Sequence, residues 1–222
     1  MKQLLFIAPH PDDEVLGCGG TIKRYSLLGY DIYVLVITRG TPKYYTDEKI
    51  ENVRSEAKKA HKLLGVKETI FLNFLAPELD ITSQAEISRA ISEVVKKYSI
   101  REIYIPHRGD IHSDHRVVFN ACLVAARPMG AYTIKAIYAY ETLSETEWAP
   151  PFGDDAYIPT HFVNITEQMA SKLEAMKCFN SQIRPFPSSR SLETIEALAK
   201  FRGATVGFKR AESFMTIRTI ID

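Results

Sequence analysis

The chain is 222 residues long, 45% hydrophobic and 25% charged, with a formal net charge of +1. That length supports one domain with a substantial core. A charge balance this near zero excludes a dedicated nucleic-acid binder and a protein held electrostatically on an anionic membrane.

Residues 1–8 imitate the start of a signal peptide. Their apolar stretch is too short, however, and runs straight into Pro9, His10 and a set of acids. Residues 4–8 instead read as a strand buried on both faces, and 14–28 as the helix after it. Residues 31–38, rich in β-branched side chains, form the second strand. A helix over 48–64 follows, with Gly65 as its C′ residue, and then a third strand over 69–74. Ser83 and Glu86 have capping-box spacing, and Ile87, Ile91, Val94, Val95 and Tyr98 share one face of the helix they open. The fourth strand is 102–106. A helix over 114–126 follows it with Ser113 as N-cap, and the fifth strand is 133–140. Residues 141–159 read as a long loop. A short strand over 161–165 and helices over 166–179 and 192–201 complete the chain, the helices separated by a loop at 184–190.

No linker or repeat divides the sequence, so residues 1–222 are expected to form a single domain. No stretch approaches the ~20 apolar residues of a membrane span. Cys18, Cys122 and Cys178 have neither a disulfide framework nor metal spacing, so a reducing cytoplasm is the expected location. Alternating strands and helices predict an α/β fold, a Rossmann-like, doubly wound, mostly parallel sheet with helices on both faces. In the common strand order 3-2-1-4-5, strands one and four are neighbours, and ligands bind beyond their carboxyl ends.

The densest chemistry follows those two strands. After strand one comes Ala8-Pro9-His10-Pro11-Asp12-Asp13-Glu14. Pro11 suits a first helical position, which puts Asp12, Asp13 and Glu14 in the first turn, where the helix dipole favours carboxylates. His10 and Asp13, three apart, can face one point, while Asp12 projects towards a neighbouring cavity. This divides the labour: His10 and Asp13 bind metal and Asp12 stays free to move a proton. Glu14 is ambiguous. The bland alternative, acids that merely cap a helix, does not account for a histidine at the strand end.

After strand four comes Gly109-Asp110-Ile111-His112-Ser113-Asp114-His115, with two of the chain's six histidines. With His115 as the third metal ligand, His112 sits beside the metal. Asp114 then holds the His112 imidazole in one tautomer and stabilises its protonated form. Asp110 is either a loop acid or a support for a ligand.

These segments resemble the PIG-L/LmbE-like family of zinc-dependent N-deacetylases, which includes enzymes that remove acetyl groups from N-acetylglucosamine conjugates. The likeness rests on His10-Pro11-Asp12-Asp13-Glu14, on His112-Ser113-Asp114-His115 and on the 106–110 lead-in. Weaker echoes are Arg54-Ser55-Glu56, Leu64-Gly65-Val66, Arg202-Gly203 and Ala211-Glu212-Ser213-Phe214. The resemblance implies Zn2+ held by His10, Asp13 and His115, with Fe2+ or another divalent metal as alternatives. It implies Asp12 as general base and His112, backed by Asp114, as electrophilic partner. Arg54 matches a substrate-contacting position, and Glu14 and Asp110 are further candidates for substrate contact. The implied reaction is hydrolysis of an N-acetyl group from an amino-sugar conjugate, releasing acetate and a free amine. The implied partner is that small molecule, and a homo-oligomer is compatible with the sequence.

Four rivals remain at this stage. Two histidines and a carboxylate also form the facial triad of non-haem iron oxygenases. A metal-dependent phosphoesterase uses a similar ligand set, and a non-enzymatic sugar-binding module keeps the fold without the chemistry. Gly17-Cys18-Gly19-Gly20 invites a dinucleotide reading, but Ile22 stands where the third glycine belongs and Thr38 and Arg39 where strand two should end in an acid. Helix–sheet packing explains those glycines better, with Cys18 a packed residue. His61 and His161 read as structural, His107 as a possible cavity residue, and Tyr44, Tyr45 and Trp148 as loop aromatics near the opening.

Overall fold

The computed structural model describes residues 2–129 and 134–221. Five strands, β1 (Gln3–Ala8), β2 (Asp31–Gly40), β3 (Glu68–Ala76), β4 (Glu102–Pro106) and β5 (Ala136–Tyr140), pair in parallel. β7 (Ala211–Thr219) joins the edge of β5 antiparallel, and β6 (His161–Asn164) pairs antiparallel with β7. The resulting order is β3-β2-β1-β4-β5-β7-β6. The expected 3-2-1-4-5 core is present, extended by a two-strand edge.

Side-chain alternation sorts the core into two layers. Leu4, Phe6, Val34 and Tyr104 point to one face, where α1 (Asp13–Leu27), α2 (Asp47–Leu64), α5 (Met169–Lys177) and α6 (Leu192–Ala204) contribute Val15, Ala57, Met176 and Ile195. Leu5, Ile7, Leu35 and Ile103 point to the other. There α3 (Gln84–Lys97) and α4 (Ser113–Ala125) bring Ile87, Ile91, Val118 and Phe119. Because both faces are covered, the central strands read as unbroken apolar runs. Phe6 lies in register with Tyr104, so the segments leaving β1 and β4 emerge side by side.

Several boundaries differ from the sequence expectation. α1 begins at Asp13, not at Pro11, and Asp12 is its N-cap residue. Ser113 lies inside α4, and His112 is the cap, its Nδ1 accepting the Asp114 N–H at 3.2 Å. Ser83 precedes α3 as expected, but its side chain makes no capping bond. Gly65 ends α2 with φ 84°, the left-handed conformation a C′ glycine supplies. The 141–159 loop holds only a short 3-10 turn at Gly153–Asp155. Thr133, the expected start of the fifth strand, lies outside the described residues. β7 is not among the strands expected from the sequence.

The Gly17–Gly20 run is explained by packing. A Cβ on Gly17 would lie 2.4 Å from the Tyr140 ring, so only glycine lets α1 approach β5 this closely. Behind the run, the Glu212 carboxylate of β7 accepts the Gly20 and Thr21 N–H groups at 2.9 and 2.7 Å. Lys172 of α5 donates to the Leu16 carbonyl at 2.7 Å and to Glu212 at 2.6 Å. A buried ion pair thus ties α1, α5 and β7 together.

Candidate metal centre and cleft

Two histidines from remote segments converge on one carboxylate. His10 Nδ1 and His115 Nε2 each lie 3.3 Å from Asp13 Oδ2, and one ligand atom from each of the three residues falls within 4.8 Å of the others. Each imidazole turns its second nitrogen to a further carboxylate. His10 Nε2 lies 3.0 Å from Asp114 Oδ2, and His115 Nδ1 lies 2.7 Å from Asp110 Oδ2. Ligating histidines are commonly held this way, with an outer carboxylate fixing tautomer and ring orientation. His115 Nε2 is buried and makes no hydrogen bond, as expected of a nitrogen whose partner is a cation. Two nitrogens and one oxygen, with room for further ligands, suit a catalytic zinc site.

The charges agree with this geometry. Burial opposes a charged His10, but its hydrogen bonds to Asp114 and Asp13 prevail and push it up to about 9. Burial likewise opposes a charged His115, and the Asp13 charge with the Asp110 hydrogen bond raises it well above the usual histidine range. Burial alone would raise Asp13; the flanking imidazoles hold it well below the ordinary carboxylate range.

A second triple, His10, His112 and Asp114, is also close enough to share an ion. It is the poorer ligand set, because His112 Nδ1 is already occupied as acceptor of a backbone N–H. That bond requires a lone pair on Nδ1, so the ring is the neutral tautomer with its proton on Nε2. Burial and then the neighbouring His10 charge lower His112 to about 4, in agreement. This corrects the expected Asp114–His112 pairing. Asp114 directs its carboxylate to His10 and to the Leu79 N–H, and His112 is oriented by the start of α4 instead.

Asp12 stands apart from the metal group, as its place between His10 and Asp13 implied. Its φ is 119°, a conformation rare outside glycine, and its side chain makes no capping bond. The Oδ2 atom meets Arg190 Nη1 at 2.5 Å. Burial pushes Asp12 up to about 7, and the Arg190 charge works in the opposite direction. Arg190 also donates to Ser144 Oγ at 2.8 Å and Gln182 Oε1 at 3.2 Å. Nothing in the sequence pattern singled out Arg190, which lies in the loop before α6.

The remaining candidates divide. Glu14 is fully buried and contacts no cleft. Its Oε1 lies 2.7 Å from His61 Nε2, and its Oε2 accepts the strained Asp12 N–H at 3.3 Å. Asp110 is also buried, spent on His115 and on the Thr146 hydroxyl at 2.6 Å. Neither lines the cleft: Glu14 supports Asp12, which does, and Asp110 supports His115 in the metal group. Arg54 does line the cleft, anchored to the Leu72 carbonyl and Asn73 at 2.9 and 2.8 Å. His107 bonds the Asp155 carbonyl and does not line the cleft, and His161 stacks on Tyr138. Tyr44 and Tyr45 border the cleft whereas Trp148 does not. Cys18 is buried and its thiol pushed up by burial, which leaves it inert. Glu145 was not anticipated: it lines the cleft, and burial raises it to about 7.

The cleft has a volume of about 590 Å³ and opens beside His10, Asp12 and His112. Among the described residues, no helix is long and apolar enough to cross a membrane.

Comparison with known proteins identifies the family. The family model PIG-L, described as GlcNAc-PI de-N-acetylase, matches residues 5–126. An uncharacterized deacetylase of Escherichia coli K12, YaiS, is 34% identical over 182 residues, covering 79% of this chain and 89% of its own length. The diacetylchitobiose deacetylase of Thermococcus kodakarensis is 27% identical, covering 96% and 82%. The solved N,N'-diacetylchitobiose deacetylase of Pyrococcus horikoshii superposes with a TM-score of 0.78 at 25% identity, over 97% of this chain and 84% of that one.

Proposed function

The chain belongs to the PIG-L family, and from that premise we propose that it is a zinc-dependent N-deacetylase of an N-acetylglucosamine-type sugar or conjugate. The observation that carries the reading is the pair of carboxylate-backed histidines meeting at Asp13, with Asp12 free of both capping and ligation beside them. His10, Asp13 and His115 are the proposed ligands. A divalent cation held there would polarise the amide carbonyl and make water available as a nucleophile near neutral pH.

The protein's own groups supply the rest. Asp12 is the general base, taking a proton from the attacking water and passing it to the departing amine. Arg190 fixes the Asp12 carboxylate in an orientation that an unpaired side chain would not keep. His112 presents its Nε2–H to the carbonyl oxygen, where negative charge develops. This replaces the imidazolium donor expected from sequence with a neutral one. Asp110 and Asp114 hold the ligand imidazoles, so that little reorganisation is needed when substrate arrives.

The test is acetate release from N-acetylglucosamine conjugates with and without chelator. Activity is expected to vanish on chelation and return with zinc. Asp12→Ala should keep its metal and lose turnover by orders of magnitude, whereas His115→Ala should lose both. Near-normal turnover in Asp12→Ala removes the base assignment. Phosphate released in place of acetate from a phosphorylated analogue would favour the phosphoesterase reading.

A further inference from the structure

β4 and β5 pair in parallel, so the segments leaving their carboxyl ends lie side by side. The segment after β4 carries Asp110, His112 and His115. The segment after β5 folds at once into a turn over 142–147. There the Thr142 carbonyl accepts the Glu145 and Thr146 N–H groups at 3.1 and 2.9 Å, and the Thr142 N–H donates to Thr146 Oγ1 at 2.8 Å. Within these bonds Ser144 sits at φ 72°, a conformation uncommon outside glycine. The Glu147 carboxylate holds it there, accepting the Ser144 N–H at 2.7 and 2.9 Å. Such strain persists only where the surroundings impose it, and it gathers at functional sites. Ser144 is buried and Glu147 exposed, so an outer acid fixes an inner backbone.

The residues of this turn reach both halves of the site. Ser144 Oγ accepts the Arg190 Nε–H at 2.8 Å, and the same guanidinium binds Asp12. Thr146 Oγ1 donates to Asp110 Oδ1 at 2.6 Å, and the other oxygen of that carboxylate meets His115 Nδ1 at 2.7 Å. The single Thr146 hydroxyl proton goes to Asp110, because the other bond at that oxygen comes from an N–H. Between the two, Glu145 lines the cleft and its carbonyl accepts the Ile111 N–H at 3.3 Å, one residue before His112. An outer group that orients a ligand keeps one orientation only if it is itself held. We propose that the 142–147 turn is a positioning device with two separable outputs: Ser144 orients Asp12 through Arg190, and Thr146 orients His115 through Asp110. The inference rests on the deacetylase reading above and extends it to residues that act only through others.

The test crosses two measurements on each variant: kcat for acetate release at saturating zinc, and zinc affinity by competition with a chromogenic chelator. Ser144→Gly deletes the hydroxyl and suits the positive φ, so folding is not at risk. It should lower kcat about tenfold and leave zinc affinity within about twofold of wild type. Thr146→Val should do the reverse, weakening zinc affinity about tenfold and lowering kcat much less. Thr146→Ser, which keeps the hydroxyl, should restore affinity. Ser144→Gly should cost nothing further in an Arg190→Gln background, nor Thr146→Val in an Asp110→Asn background, since each hydroxyl acts through that partner. Losses that add in those backgrounds, or that fall equally on kcat and zinc affinity in step with melting temperature, overturn the proposal. So do single variants indistinguishable from an active wild type, and the deacetylase reading then stands. Zinc uptake that depends on Thr146, in a protein releasing no acetate from any N-acetylglucosamine conjugate, overturns the deacetylase reading and the Ser144 half and keeps the Thr146 half. Neither zinc uptake nor acetate release overturns both.

Discussion

At the scale of single residues, the site depends on carboxylates with separate duties. Asp13 gathers the imidazoles, Asp12 is bound by Arg190 and is the proposed base, and Asp110 and Asp114 each hold one histidine. The expected effect of Asp114→Asn follows from its contact with His10: zinc affinity should weaken about 10- to 100-fold, read by competition with a chromogenic chelator. Were Asp114 the partner of His112, the same variant would lower kcat at saturating zinc and spare affinity. His112→Ala should lower kcat about 10²- to 10³-fold with metal content unchanged, as loss of one oxyanion donor does. The sequence made these residues visible because spacing in a short segment fixes direction. It misassigned Asp114 because two neighbours in sequence, His112 and Asp114, were taken for neighbours in space. The helix start turns them apart.

At the scale of elements, the glycine-rich α1 is held by tertiary contacts more than by its own propensity. Gly17 is needed for the approach to Tyr140, and Lys172 and Glu212 bond backbone groups in the middle of the helix. The two side chains are only 5% and 3% exposed, so removing one strands the other in a low-dielectric interior. Lys172→Met should destabilise the protein by ~3–5 kcal/mol, measured by urea denaturation. The double variant Lys172→Met/Glu212→Gln should recover part of that loss. Because α1 begins at Asp13, a proposed ligand, the single variant should also bind zinc more weakly. β7 escaped the sequence reading for the same reason it matters. Its apolar residues split between faces, Phe214 to one core layer and Met215 and Ile217 to the other. Phe214, on the same face as Glu212, Thr216 and Arg218, breaks the alternation that marks a strand with one buried face.

At the scale of the whole molecule, metal binding, protonation and stability are linked. In the metal-free protein His10 is raised to about 9 from an ordinary 6.5. A raised histidine contributes stability that is fully present below pH 6.5 and is lost as pH climbs through about 9. The apo-protein should therefore melt at a higher temperature at pH 6 than at pH 9.5, where thermal scans would detect the difference. A cation needs the neutral imidazole, so uptake near neutral pH must expel protons from His10 and His115. Calorimetry in buffers of different ionisation enthalpy should register that release, and zinc affinity should rise with pH up to about 9. A pH-independent affinity would count against both histidines as ligands.

Several features were legible in the sequence alone: the parallel core, the adjacency of β1 and β4, the grouping of His10 with Asp13, and the place of Asp12 outside that group. All follow from local periodicity, from the spacing of residues within one turn, or from the handedness of strand–helix–strand crossovers. Only the tertiary structure decided which carboxylate supports which histidine, that Arg190 binds Asp12, that Glu14 and Asp110 face inward, and that β7 enters the sheet between β5 and β6. These depend on loops and on antiparallel pairing between distant segments. Their register is set by packing and by the need to satisfy buried charges, and no periodicity along the chain records it.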